Sequence, residues 1–173
     1  QRHNLSSDYG RQCAELVQDA LANRDFERLL VLNRYIDQDL RKICVVEAAK
    51  EGHLAIVEEL FLYGGSCFKS EALVVAAEHR QLPLMHALLK KGELYPGCKD
   101  ACFSKACASG ECEVVRVLLS YGNISEWILE QALIDTANSD RLDVLQVVLE
   151  KVEISEYTRG EVVYAAVENG RLK

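Results

Sequence analysis

Four clustered cysteines are the residues of this sequence whose type and spacing first suggest chemistry. Cys98, Cys102, Cys107 and Cys112 follow one another as C-x3-C-x4-C-x4-C. Cysteine thiolates are common zinc ligands, but structural zinc sites usually show patterns such as paired C-x2-C. The spacing here is not a familiar ligand pattern, so we predict no metal site.

Histidines are the second residue type that could support chemistry, because a cysteine or serine nucleophile needs a base within hydrogen-bond reach. The chain contains His3, His53, His79 and His86. No Cys–His–Asp or Ser–His–Asp set can be assembled from one register of the repeats described below. Neither G-x-x-x-x-G-K-[ST] nor G-x-G-x-x-G is present to hold a phosphate. We therefore predict no catalytic activity and no cofactor.

These residues belong to a short pattern that recurs six times. A glycine followed two residues later by an apolar residue marks the pattern at Gly52, Gly110 and Gly170. At Arg24, Arg80 and Asp140 the apolar residue is kept but another residue replaces the glycine. We call these six positions the slots, and they lie 28 or 30 residues apart. Self-similarity at a fixed period of this size indicates stacked supersecondary units, which form a solenoid.

Each unit has the pattern of two helices joined at the slot. A pair of small residues, Ala48 and Ala49 in one unit, precedes the slot and allows close helix packing. Apolar residues on one helical face follow it, here Leu54, Val57, Leu60 and Phe61. Cys107 and Cys112 occupy core positions of this pattern, so we expect them to be buried. Cys98 and Cys102 are less constrained, and we expect them to be the more accessible thiols.

The segment AAKEGHLAIVEELFLYGG resembles the second half of the ankyrin repeat, typically AAxxGHLEVVKLLLxxGA. The resemblance extends from about Glu15 to Lys173. Ankyrin repeats are about 33 residues long and open with T-P-L-H, whereas here only the apolar third position of that tetrapeptide survives. Two residues separate Gly122 from Ser125, too few for the β-hairpin finger of that family. Ser125 and Ser155 are predicted helix N-caps.

The resemblance implies an all-α solenoid of about five ankyrin-like helix-turn-helix repeats, with short loops in place of fingers and long first helices. Another kind of α-solenoid is the alternative. We predict a single domain over 1–173, with a degenerate N-terminal repeat or cap at 1–36, central repeats at 37–160 and the start of a further repeat at 161–173. We expect the chain to be a piece of a longer protein and its C-terminal face to expose apolar surface.

Two sets of residues are candidates for binding a partner. In ankyrin proteins the two residues before the turn glycine face a concave groove, and the matching residues here include Lys50, Glu51, Glu78, His79, Ser109, Asn138 and Ser139. The second set consists of aromatic residues expected in the loops between repeats, Phe68, Tyr95, Trp127 and Tyr157. Such aromatics either anchor a partner or pack over the adjacent repeat.

Charge and composition limit the partners. The net charge of −7 leaves no basic patch for nucleic acid and disfavours an anionic membrane surface. No apolar stretch approaches the roughly 20 residues of a membrane span. Seven cysteines without a secretory signal indicate a reducing cytosol.

The resemblance therefore implies a cytoplasmic protein–protein interaction module. A host-directed effector, secreted into a host cytosol, is a further suggestion, because decayed ankyrin repeats occur in intracellular bacteria and large viruses. The alternatives are a substrate-positioning domain of an enzyme whose catalytic domain lies outside this sequence and a structural spacer. The sequence identifies neither the partner nor the oligomeric state.

Overall fold

The computed structural model describes residues 3–62, 65–92, 94–122, 124–139, 141–153 and 155–168. Every regular element in these ranges is an α-helix, which confirms the all-α prediction. Among the described residues, no helix is both long enough and apolar enough to cross a membrane. The chain forms two compact units, one ending at Tyr95 and the other beginning at Pro96.

The first unit is built from three successive helix pairs. Its described helices are α1 His3–Ala22, α2 Phe26–Leu32, α3 Gln38–Lys50, α4 Leu54–Phe61, α5 Gly65–Glu78 and α6 Leu82–Lys91. The two helices of each pair pack together. The first helices also pack in order, α1 on α3 and α3 on α5, and the second helices follow as α2 on α4 and α4 on α6.

The second unit repeats this arrangement. Its described helices are α7 Cys98–Ser109, α8 Cys112–Ser120, α9 Glu126–Asn138, α10 Leu142–Lys151 and α11 Glu156–Glu168. Here α7 pairs with α8 and α9 pairs with α10, while α7, α9 and α11 pack in series and α8 packs on α10. From α3 onward the first helices have 12 to 14 residues and the second helices 8 to 10.

The core of each unit uses equivalent positions of the repeat. Val45, Leu73, Phe103 and Leu133 lie 28 or 30 residues apart on successive first helices, and each is at most 1% exposed. The first residue of each small-residue pair is buried as well, at Ala48, Ala76, Ala106 and Thr136. The hydrophobic contribution to stability is therefore repeated from one helix pair to the next.

The slot between the helices of a pair is a left-handed turn. Gly52 and Gly110 have φ of +75° and +79°, and Arg24 and Arg80 occupy the same conformation at +54° and +56°. The N–H after each slot donates to the carbonyl five residues earlier at 2.8–3.1 Å, in the pairs Asp25–Ala20, His53–Ala48, Gln81–Ala76, Glu111–Ala106 and Arg141–Thr136. This is the Schellman arrangement that ends a helix, and it explains the spacing of the sequence pattern.

Two slots are also covered by a side chain from the next helix pair. Gln81 Nε2 donates to the carbonyl of Lys50 at 2.7 Å, and Arg141 Nη1 donates to the carbonyl of Ser109 at 3.2 Å. These long side chains cross directly over Gly52 and Gly110, where an added Cβ would collide with them. Glycine is therefore favoured at both slots, because it adopts the left-handed conformation without strain and leaves room for the covering side chain.

A second set of bonds joins successive first helices at the loops between repeats. Asp100 accepts from the N–H and the hydroxyl of Ser125, and Glu130 accepts from the hydroxyl of Thr158. The N-cap prediction is confirmed for Ser155, whose Oγ accepts from the Thr158 N–H at 3.1 Å. Ser125 lies at the N-cap position, but its side chain makes no capping bond to α9 and bonds to Asp100 of α7 instead.

Arg41 is a buried cation that the sequence did not reveal. Its side chain on α3 donates from Nε to Asn33 Oδ1 at 2.9 Å and from Nη2 to the carbonyls of Asn33 and Ile36 at 2.8 and 3.0 Å. Asn33 is buried as well and donates to the carbonyl of Glu59. Arg41 thus satisfies the backbone of the loop between the first and second helix pairs.

The last two described helices of the second unit, α10 and α11, expose apolar side chains, as predicted. Leu149, Val163 and Val167 are each more than 40% exposed. Leu133 and Ala137, the residues 30 positions before Val163 and Val167, are buried in the same unit. Val163 and Val167 are therefore apolar like the core residues at the equivalent positions of the preceding first helix, although they are exposed. The slot at Gly170 lies outside the described residues.

The cysteines are largely core residues. Cys107 is buried as expected, but the prediction that Cys98 and Cys102 are accessible is wrong, because both are buried. Together with Ala106 they form one stripe along α7, at four-residue spacing, that faces the core. Cys112 is only half-buried, and its Sγ donates to Asp143 Oδ2 at 3.3 Å.

We expect the thiols to differ sharply in reactivity. Burial raises the pKa of Cys44 to about 11 and that of Cys107 to about 12. In a Cys67→Ser background, an Ellman titration at pH 8 should modify Cys13 first. Cys44 and Cys107 should react at least about a hundred-fold more slowly, since little thiolate is present and access requires opening of the core. Equal rates for all thiols in the folded protein would contradict this packing.

Candidate binding surface

The predicted groove residues all lie at one place in the repeat, the end of the first helix. Lys50 and Glu78 are the last residues of α3 and α5, and Glu51 and His79 follow them. In the second unit, Ser109 and Asn138 are the last residues of α7 and α9, and Ser139 follows Asn138. All seven are exposed except Lys50, which is half-buried. The side chains are therefore available to a partner within each unit.

In the first unit these residues carry charge. Lys50 Nζ contacts Glu47 Oε1 at 2.6 Å, and Glu51 contacts Arg24 at 3.3 Å. The second ion pair connects the first helix pair to the second. Both pairs are solvent-exposed, so each is worth at most about 1 kcal/mol and remains open to exchange with a partner's charges.

In the second unit the same position forms a groove of about 290 Å³ between α7 and α9. It contains the predicted residues Asn138 and Ser139, whereas Ser109 lies outside it. Small side chains on α7 leave the space open. The lining residues are Ser104, Cys107, Ala108, Gln131, Ala132, Asp135, Thr136, Asn138 and Ser139.

Hydrogen bonds hold the polar side of this groove in place. Gln131 Nε2 donates to Asp135 Oδ1 at 2.9 Å, and the Ser139 hydroxyl donates to the Asp135 carbonyl at 2.6 Å. Asp135 supplies a carboxylate to an otherwise uncharged lining. Sequence reasoning missed Gln131 and Asp135, although they lie two turns and one turn, respectively, before Asn138 on the same face of α9. The groove therefore offers ordered, mostly neutral hydrogen-bonding groups.

The four predicted aromatics do not form one class. Phe68 is 5% exposed on α5, so the packing alternative holds for it and its assignment as a partner anchor is wrong. Tyr95, Trp127 and Tyr157 are 57%, 66% and 76% exposed. Tyr95 lies in a loop as predicted, whereas Trp127 and Tyr157 lie in the first turns of α9 and α11. These helices begin at Glu126 and Glu156, directly after the predicted N-caps, so the assignment of Trp127 and Tyr157 to loops is wrong.

The titratable groups at the groove favour binding over chemistry. Cys107 lines it, but burial, together with Cys112 and Asp135 nearby, raises the pKa of this thiol to about 12. The thiol is therefore protonated at neutral pH and is a poor nucleophile. Within the ranges that the structure describes, no three His, Cys, Asp or Glu side chains are grouped so as to hold a metal ion.

No protein-family model matches the chain, and no match is found among curated proteins or solved structures. The ankyrin resemblance consequently depends on the residues around the slots.

Proposed function

We propose that this chain is a protein–protein interaction module built from ankyrin-like helix pairs, in which a partner binds the ends of the first helices within a unit. The observation that carries the proposal is a contrast within each helix pair. Residues at the ends of α3, α5, α7 and α9 are exposed and differ in chemistry, from Lys50 and Glu78 to Ser109 and Asn138. Their neighbours in the core are buried and nearly invariant in type. A rigid scaffold with variable exposed positions is typical of repeat proteins that bind other proteins.

The groove between α7 and α9 supports a protein partner over a metabolite. Sites for small molecules are mostly apolar and enclose their ligand. Among the described lining residues of this groove there is no aromatic or large aliphatic side chain, and its volume of about 290 Å³ is just below their usual range. It is suited to one or two side chains of a larger partner that also contacts neighbouring first helices. The acidic composition of the chain favours a partner with a basic surface.

An affinity capture from cytosolic lysate, read by quantitative mass spectrometry, tests this proposal. The variant Ala108→Arg places a long side chain at an exposed position of α7 and fills the groove. We expect it to lower capture of the specific partner at least about tenfold, since the partner loses its buried contacts. Circular dichroism should show an unchanged fold, because Ala108 is exposed on a helix.

The matched control is Gln146→Arg, which adds the same side chain at an exposed position of α10. It should capture the partner as well as the parent chain does. If all three proteins capture the same set, the first-helix surface is not the binding face. If none of them captures anything specific, the spacer interpretation is favoured over a binding module.

A further inference from the structure

Trp127 and Tyr157 are equivalent residues of two successive repeats. Each is the second residue of a first helix, since α9 begins at Glu126 and α11 at Glu156. Both rings are largely exposed, at 66% and 76%. Large aromatic side chains in this state have apolar surface that packing within the chain does not use, and they are favoured anchors at interfaces.

The spacing of the two rings follows from helix packing. The helices α9 and α11 pack directly on each other, and the Thr158–Glu130 bond holds their first turns side by side. Packed helices lie about 8–10 Å apart. Equivalent positions on the two packed helices are therefore about 10 Å apart, measured between the backbones at Trp127 and Tyr157.

Carboxylates accompany both rings. Glu126 directly precedes Trp127, and Glu156 directly precedes Tyr157. Both glutamates are exposed. A cation held over an aromatic face gains about 0.5–1 kcal/mol at an exposed site, and a nearby carboxylate adds an ion pair. Arginine suits such a site best, because its planar guanidinium stacks on a ring while it donates to a carboxylate.

We propose that these two ring–carboxylate pairs bind two arginines, three residues apart, in an extended segment of the protein partner. A polyproline II segment has three residues per turn and rises about 3.1 Å per residue, so residues i and i+3 lie on one side about 9 Å apart. This matches the spacing of the two helix positions that carry the rings. In a β-strand, same-side residues lie about 7 or 13 Å apart and fit less well. The inference rests on the proposed function and specifies the chemistry of the partner.

The test uses a synthetic peptide with the sequence Gly-Arg-Pro-Pro-Arg-Pro-Pro-Gly, capped at both ends. Trp127 is the only tryptophan of the chain, so its fluorescence reports directly on occupancy. We expect a saturable change in emission on titration, weakened by salt because the site is exposed. A peptide with the same composition but adjacent arginines should bind more weakly, and one with norleucine in place of arginine should not bind.

Variants of the protein are measured by anisotropy of the labelled peptide. Trp127→Ala or Tyr157→Ala should each lower affinity about two- to five-fold, the value of one exposed cation–π contact, and the double variant should lower it about tenfold. Tyr35→Ala is the matched control, because Tyr35 is equally exposed in the first unit, and it should bind like the parent. Circular dichroism should be unchanged in all of them.

Two results would overturn this inference. One is equal binding of the labelled peptide by the parent and the double variant. The other is equal binding of the arginine and norleucine peptides. Either result leaves the capture experiment intact, because loss of the partner in Ala108→Arg but not in Gln146→Arg would still establish an interaction module. Failure of the peptide site is thus distinguishable from failure of the proposed function.

Discussion

Gly52→Ala and Gly110→Ala should each lower the free energy of unfolding by about 2–3 kcal/mol. A left-handed conformation costs an alanine about 1–2 kcal/mol, and both glycines have φ near +77°, at +75° and +79°. The new methyl group would also displace Gln81 or Arg141 from its carbonyl acceptor, a hydrogen bond worth about 1 kcal/mol. Urea unfolding followed by circular dichroism measures the change.

The opposite substitution at an equivalent slot is the control. Arg24 has φ of +54° and makes one exposed ion pair with Glu51. Arg24→Gly should relieve backbone strain while it loses a weak surface contact, so stability should change by less than about 1 kcal/mol. If Gly52→Ala is equally mild, the turn does not require glycine and the slot has been misinterpreted.

Arg41→Met should cost about 2–4 kcal/mol, since it removes the donors that satisfy the carbonyls of Asn33 and Ile36 inside the first unit. A buried polar group without its partner costs about 1–3 kcal/mol, and at least two are left here. Arg41→Lys should recover only part of this loss, because an ammonium cannot reproduce the fork of the guanidinium. Thermal and urea unfolding of the three proteins measure the effect.

The neighbouring residue provides the comparison. Lys42 follows Arg41 on α3, is exposed and pairs with Glu71 at 3.1 Å. Lys42→Met removes the same charge from the surface and should change stability by less than about 1 kcal/mol. A similar cost for both methionine variants would mean that charge, and not the buried hydrogen bonds of Arg41, determines the result.

The parts of the fold that depend on local periodicity were predictable from the sequence. The slots at Gly52 and Gly110 and the small pair at Ala48 and Ala49 define turns and close contacts that each repeat needs by itself. The structure has left-handed residues at four described slots. Of the apolar face predicted after Gly52, Val57 and Leu60 are buried, whereas Leu54 and Phe61 are half-buried.

The predictions that were wrong concern residues whose environment depends on contacts between one repeat and the next. Phe68 and Cys98 were assigned to loops or looser positions because no slot marks the start of a first helix. Ser125 has the sequence of an N-cap, yet its side chain bonds to Asp100, 25 residues earlier. In the sequence, Arg41 cannot be distinguished from a surface cation. Its carbonyl partners lie in an irregular loop, and such a loop has no recognisable sequence pattern.

The candidate site was predictable in position but not in extent. The ends of the first helices were identified at Asn138 and Ser139, and both line the groove. Gln131 and Asp135 were missed because the prediction took only the two residues before each slot. The exposure of Trp127 and Tyr157 could not be decided from sequence, since filling the space between repeats and facing solvent need the same residue types.

The side chains that lie over Gly52 and Gly110 make residues in neighbouring repeats interdependent. A Cβ at 52 or 110 would meet the end of the long side chain at 81 or 141, respectively, which would have to move. Among homologous chains, positions 52 and 81 should therefore covary, and so should 110 and 141. Once a shorter side chain replaces the one that covers a slot, the glycine at that slot can be replaced as well. Repeats of this kind can therefore diverge in sequence while the backbone turn persists.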